Sequence, residues 1–299
     1  MTSAASSSGL GRHPCLVAAL CVCALGSAVF AQQPAEPAPT GKNTGLVSSY
    51  RSEARQAASS DPEKALALLI KARNLDPNNP DVQYDFAMIA LRMSLYSDAA
   101  QAFQSTLNVL RDDPNALYGL GRAQIGLTKY QDARDTFDHY LKLKPDDASG
   151  HYALGLALAA LQLSPEARKQ FETSIQQQSV QTESYFQLGL LDLDDKQLAK
   201  AAGNFQRVLD RDPYHAGALT GMGRVDFETK EYSKAVELFL QAIAANPTLR
   251  QAHYYLGLTY ARMGQKDKSA KELQIASQLE HDEAEKQRLG LKIIDPDQQ

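Results

Sequence analysis

The sequence predicts an all-α solenoid, a row of stacked antiparallel helix pairs without a single central core. Three observations carry that reading. The first is a period. Leu117, Leu120, Gly121, Ala133, Phe137 and Pro145 hold places that recur 34 residues on as Leu154, Gly155, Ala167 and Phe171. The next step gives Leu188, Gly189, Ala201, Phe205 and Pro213, and the one after gives Met222, Gly223, Ala235, Phe239 and Pro247. Leu256 and Gly257 follow; Phe86, Ala87, Ala99 and Phe103, then Ala65, Leu69, Ala72 and Pro77, extend the series backwards. The second observation is spacing within the unit. Ala133, Phe137 and Tyr140 stand at i, i+4 and i+7, one face of a helix. The third is the proline that ends most units, where the residue before it is turned away from helical geometry.

Seven such units cover residues 46–79, 80–113, 114–147, 148–181, 182–215, 216–249 and 250–283, with no insertion or deletion. Glycine inside a helix costs about 1 kcal/mol against alanine. Gly121, Gly155, Gly189, Gly223 and Gly257 therefore mark places where another helix passes too close for a Cβ. In the second half of each unit the small Ala admits the partner helix, and the Phe fills the gap between layers. Such a helix pair has an apolar face that only stacking can bury.

A 34-residue unit with Leu-Gly in its first half, Ala-x-x-x-Phe in its second and Pro at its end resembles the tetratricopeptide repeat. The resemblance spans residues 46–283. It implies a right-handed superhelical solenoid whose first helices line a concave groove that receives a peptide or helix of a partner protein. The best-known chemistry of that groove is a Lys and Asn clamp on a chaperone's C-terminal carboxylate. Here the corresponding places hold Tyr50, Ala54, Asp85, Asn115 and Gly119, so the clamp is absent.

Residues 1–31 read as a secretory signal peptide: Arg12 and His13 precede an apolar run that ends at Val29-Phe30-Ala31. The alternative is an uncleaved anchor helix, for which the run is short and broken by Gly26 and Ser27. Cys15, Cys21 and Cys23 all lie in this segment, so a cleaved chain has no thiol. Cleavage also removes Arg12, leaving 30 basic against 35 acidic side chains. Export places the protein in the periplasm or outside the cell, and the absence of an Asn-x-Ser/Thr site favours a bacterial envelope. Residues 32–45 are Pro/Ala-rich and read as a disordered tether.

Repeat one carries Ser49, Ser52 and Glu53 where other units are apolar, as the outer face of a terminal repeat requires. Ser60-Asp61-Pro62-Glu63 reads as a capping box, and Ser164-Pro165 as the equivalent start in repeat four. Arg111 and Ser179 replace the usual Pro and predict looser turns. Ser269 and Lys266 soften the last repeat. Residues 284–299 read as a capping helix and tail, with a helix over 282–294 stopped by Asp295-Pro296; Leu289, Leu291, Ile293 and Ile294 would cover the last apolar face.

The formal net charge of −4, without a basic stripe, excludes nucleic acid as the expected partner. His151 and His253 share one place three repeats apart, too far for a common metal, and read as structural or solvated. Asp192, Asp194 and Asp195 read as a polar helix end, since the Gly and distal Glu of a calcium loop are missing. Gly119-Leu120-Gly121 and Gly221-Met222-Gly223 lie inside helices and have a packing explanation, so neither is a phosphate loop. No nucleophile or acid–base set converges, and no cofactor is expected. The chain reads as a non-enzyme.

One feature points to binding. Tyr50, Tyr84, Tyr118, Tyr152, Phe186 and Tyr254 recur once per repeat, interrupted only by Thr220. Met88, Arg92, Arg122, Leu156, Leu190, Arg224 and Arg262 continue the same face, together with Asp194, Glu228 and Leu258. This ladder is the candidate partner-binding groove. Its aromatics serve equally well as packing against the next repeat. The expected function is a protein–protein interaction scaffold. The alternatives are a structural subunit of an envelope assembly and an accessory module whose tyrosines stack on glycan.

Overall fold

The computed structural model describes residues 41–178 and 182–294, with no side chain described at 283 or beyond 285. The expected signal segment, most of the tether and the Ser179 turn lie outside the described residues. Among those described, the chain is entirely helical and falls into seven pairs. The pairs are α1 (Gly41–Ala57) with α2 (Pro62–Leu75), α3 (Pro80–Arg92) with α4 (Tyr96–Val109), and α5 (Pro114–Gly126) with α6 (Tyr130–Leu143). They continue as α7 (Ala148–Ala160) with α8 (Ser164–Gln177), α9 (Thr182–Asp194) with α10 (Leu198–Leu209), and α11 (Ala216–Glu228) with α12 (Tyr232–Ala245). The last pair is α13 (Arg250–Arg262) with α14 (Lys266–Ile294). Each helix packs on its partner, and the second helix of each of the first six pairs packs on the first helix of the next pair.

The core is a column of rings. Phe103, Phe137, Phe171, Phe205 and Phe239 are wholly buried, as are Ala99, Ala133, Ala167, Ala201 and Ala235 one turn earlier. The glycines face these rings: a Cβ on Gly121 would stand 2.6 Å from Phe137, and one on Gly155 2.6 Å from Phe171. A second small position faces the Phe of the preceding repeat, occupied by Gly119 against Phe103 and Gly221 against Phe205. Phe205 is thus held by two successive first helices, through Gly189 and Gly221, and Phe239 by Gly223 and the stacked ring of Tyr255. In the last repeat Leu273 takes the ring's place against Gly257. Burying one Phe contributes about 3 kcal/mol, and five of the six repeat junctions have such a ring, with Leu69 in its place at the first.

Turn chemistry sets the period. Asn79, Asp113 and Asp147 cap the first helices of their repeats by accepting the N–H of Val82, Ala116 and Gly150, and His215 does so through Nδ1 for Ala218. Between the helices of the last six pairs the chain passes through a left-handed residue. These are Ser94, Thr128, Gln162, Lys196 and Lys230, with φ between 57° and 66°, and then Gly264 at 76°. The residue after each donates back to the helix end, as Leu95 does to Ala90 (2.8 Å) and Lys129 to Gln124 (2.9 Å).

Several expectations need correction. Helix α1 starts at Gly41, so residues 41–45 are helical and do not belong to the tether. Asp61, not Ser60, caps α2 by accepting from the Lys64 N–H at 2.9 Å. In α8 the cap is Leu163, without a side-chain bond, and Ser164 is already helical. The Arg111 turn is no looser than the others: Asp113 donates to Leu110 at 3.1 Å, against 3.2 Å for Asp147 to Lys144 after Pro145. The expected capping helix is not separate, because α14 runs unbroken from Lys266 to Ile294. Nothing between Glu280 and Asp282 breaks a helix, and no left-handed residue interrupts the segment. The side chains expected to cover the last face lie beyond those described.

Candidate partner-binding groove

The ladder residues lie on successive first helices, one per repeat. Tyr84, Tyr118, Tyr152 and Phe186 are each half-buried. One edge of each ring packs on the Phe of its own repeat. The centroids are 5.9 Å apart for Tyr84 and Phe103, 5.8 Å for Tyr118 and Phe137, 6.0 Å for Tyr152 and Phe171, and 6.1 Å for Phe186 and Phe205. The ladder is therefore part of the packing and part of the surface at once. Thr220 is buried at the place where its rung is missing. Tyr254, 42% exposed, leans edge-on against Tyr255.

The residues one or two turns further along the first helices differ in kind. Met88 is 40% exposed, and Arg92, Arg122 and Arg262 are exposed, whereas Leu156 and Leu190 are half-buried. Arg224 is half-buried: its guanidinium lies 4.9 Å from the Tyr255 ring centroid and 4.0 Å from the Asp194 carboxylate. Among the described residues Arg92, Arg122 and Arg262 form no ion pair. The structure thus brings Tyr84, Met88, Arg92, Tyr118, Arg122, Tyr152 and Leu156 onto one face of consecutive repeats. Arg262 and Tyr254 stand at the far end of the array.

Burial raises the Tyr84 and Tyr118 phenols above their ordinary value and pushes Tyr152 up to about 12. Tyr118 also tilts against Tyr140, centroids 5.3 Å apart, and the Tyr140 hydroxyl donates to Asp147 at 2.8 Å. In repeats one and two, Asp85 accepts from Arg51 (2.8 Å) and Arg55 (3.0 Å), which ties α1 to α3.

Two polar arrangements were missed or misjudged from sequence. Gln83, His151 and His253 share one place and each reaches back to the carbonyl of the proline ending the previous repeat. His253 stands 3.1 Å from the Pro247 oxygen and 2.7 Å from Glu272. The shared place of the two histidines was the visible signal. Asp192 lies at the expected polar helix end, but is buried there. It is 1% exposed, bound by Arg168 at 2.6 Å and Asn204 at 2.8 Å. Arg168 also binds Asp195 at 2.8 Å. Around this network, on the second-helix side, lies an open cleft of about 580 Å³ lined by Arg168, Glu172, Lys200, Asn204 and Arg207.

Family models agree with this architecture. One described as a tetratricopeptide repeat matches residues 84–148 and 118–181, and one described as a TPR repeat matches residues 223–264. The chain is a tetratricopeptide repeat protein. No curated protein matches it in sequence. Among solved structures, a tetratricopeptide repeat protein from Parabacteroides merdae is 14% identical with a TM-score of 0.67, covering 79% of this chain and 93% of that one. PilW, described as a widely conserved type IV pilus biogenesis factor, is 18% identical with a TM-score of 0.62, covering 71% and 98%. Pseudomonas aeruginosa pilF is 16% identical with a TM-score of 0.59, covering 72% and 98%. At such identities the shared property is the tetratricopeptide fold.

Proposed function

We propose that this tetratricopeptide repeat protein is a non-catalytic scaffold that holds a peptide or helix of a partner protein against its first helices. One observation carries the reading. Tyr84, Tyr118 and Tyr152 present half-buried rings on three consecutive repeats, beside the exposed Met88, Arg92 and Arg122. A ring already fixed on one side loses little side-chain entropy when its other side is covered. Unpaired arginines next to such rings suit a carboxylate-bearing partner.

The test is a crosslinking pull-down from envelope extract with Tyr84→Ala, Tyr118→Ala and Tyr152→Ala. Each change should weaken partner recovery by about 1–2 kcal/mol or more, as interface anchors do, and should reduce folding stability less. Lost stability with unchanged recovery would reduce the ladder to repeat packing.

We also propose that the chain is exported, with residues 1–31 as a cleaved signal, and works in the periplasm or outside the cell. N-terminal sequencing of the protein from its native host should start at or near Gln32. A mature chain that retains Cys15 in the membrane would replace this reading with the anchored one.

A further inference from the structure

We propose that the groove between Tyr84 and Tyr152 takes an acidic, proline-rich partner segment in the polyproline II conformation. The proposal rests on the groove reading above and names the class of its ligand.

The first argument is hydrogen-bond character. The three phenols, their ionisation disfavoured by burial, keep their protons at neutral pH. Arg92 and Arg122 can only donate. The carboxylates nearest this face have partners: Asp85 has Arg51 and Arg55, Asp113 the Ala116 N–H, Asp147 Tyr140 and the Gly150 N–H, and the exposed Glu183 beside Tyr152 stands 3.6 Å from His215 Nε2. A face that mainly donates fits a backbone that only accepts. Polyproline II has no internal hydrogen bonds and leaves its carbonyls open, while proline has no N–H to satisfy. An α-helical ligand has already used its carbonyls internally, and an extended strand brings N–H groups that need acceptors.

The second argument is period. Neighbouring packed helices stand roughly 8–10 Å apart, which sets the step from one ladder ring to the next. Polyproline II makes one turn of three residues in roughly 9 Å. Every third residue of such a ligand therefore meets the next ring, always from the same side. An α-helix covers that distance in about six residues, which is not a whole number of turns. Flat pyrrolidine rings over Tyr84, Tyr118 and Tyr152 fill the side of each ring that its Phe leaves open.

The third argument is charge. Arg122 lies one helical turn beyond Tyr118, and Arg92 two turns beyond Tyr84. Both are exposed, and among the described residues neither has an ion-pair partner. A carboxylate between successive prolines of the ligand meets Arg122 across the groove.

The test measures fluorescence anisotropy of labelled peptides with the full chain. The probes are repeating Pro-Pro-Glu triplets, repeating Pro-Pro-Lys triplets of equal length, and an amphipathic, acidic helical peptide. The Pro-Pro-Glu probe should bind, with Pro-Pro-Lys roughly tenfold weaker. Tyr118→Ala and Tyr152→Ala should each weaken Pro-Pro-Glu binding roughly tenfold or more. Tyr118→Phe keeps the packing on Phe137 and should weaken it several-fold through the lost hydroxyl. Arg122→Gln should erase the preference for Glu over Lys. Equal affinity for the two triplet probes, or binding of the helical probe alone, would overturn the ligand class. If recovery of the natural partner still depends on Tyr118 in that case, the groove reading stands; if it does not, both fall.

Discussion

The ring of Phe205 closes against Gly221 of the following repeat so tightly that a Cβ there would lie 2.5 Å from the ring. The same ring meets Gly189 of its own repeat, where a Cβ would lie 2.6 Å away. Because Phe205 is wholly buried, it cannot swing aside. Gly189→Ala and Gly221→Ala should each overpack the junction and cost about 1–3 kcal/mol, despite the better helix propensity of Ala. Gly203, on the same helix as Phe205, provides the control. A Cβ there meets nothing within 4 Å, so Gly203→Ala should stabilise by about 1 kcal/mol. Urea midpoints of the three variants decide; equal midpoints would contradict the packing described.

The left-handed turn residues predict the opposite sign. Thr128 is β-branched and sits at φ 57°. A non-glycine residue there carries about 1–2 kcal/mol of strain. Thr128→Gly should raise the thermal midpoint, and Gly264→Ala, at the equivalent φ of 76°, should lower it. A fall for Thr128→Gly would show that its side chain contributes more than its backbone costs.

The period, the close-approach glycines and the buried Phe column were legible because each depends on one residue type at one place. The turn residue was not. Ser94, Thr128, Gln162, Lys196 and Lys230 share a φ and nothing chemical, so no pattern marks them. The burial of Asp192 was hidden because its partner Arg168 lies 24 residues earlier, on the preceding helix. The unbroken α14 was hidden for another reason: an expected unit boundary at Glu283 was taken for a helix end, although no breaker stands there. For the candidate site, sequence gave the face and the rungs, whereas the division between ring and arginine exposure needed the packed neighbours.

The Arg168–Asp192 pair sets a third expectation. Arg168→Leu leaves a carboxylate that is 1% exposed without its cation, and should cost about 3–5 kcal/mol. Replacing both partners with Leu should recover much of that loss, because the network then contains no uncompensated charge. Denaturant unfolding of the single variant should split into two steps, since repeat arrays sum local terms. A single variant as stable as the parent would mean that Asn204 alone satisfies Asp192.

Alkaline stability follows from Tyr152. Its neutral form is favoured by burial, with the folded value near 12 against an ordinary 10. The unfolded chain therefore ionises first as pH rises. The stabilisation is complete below about 10 and disappears between about 10 and about 12. Tyr152→Phe should flatten that part of the pH profile, read as the urea midpoint alongside phenolate absorbance. An unchanged slope would assign the loss to other tyrosines such as Tyr140, which burial and Asp147 also raise.

The fit of each Phe ring against a first-helix glycine restricts how such a chain can change length. One residue added within a helix turns everything beyond it by about 100°, which takes the ring away from its glycine, and in the case of Phe205 from two. Deleting one residue does the same in the other sense. The chain can therefore gain or lose whole repeats, or change at its turns and ends, but a fractional change within a helix breaks that fit. Its length is quantised in steps of 34 residues, and the unbroken series from 46 to 283 is the record of that restriction.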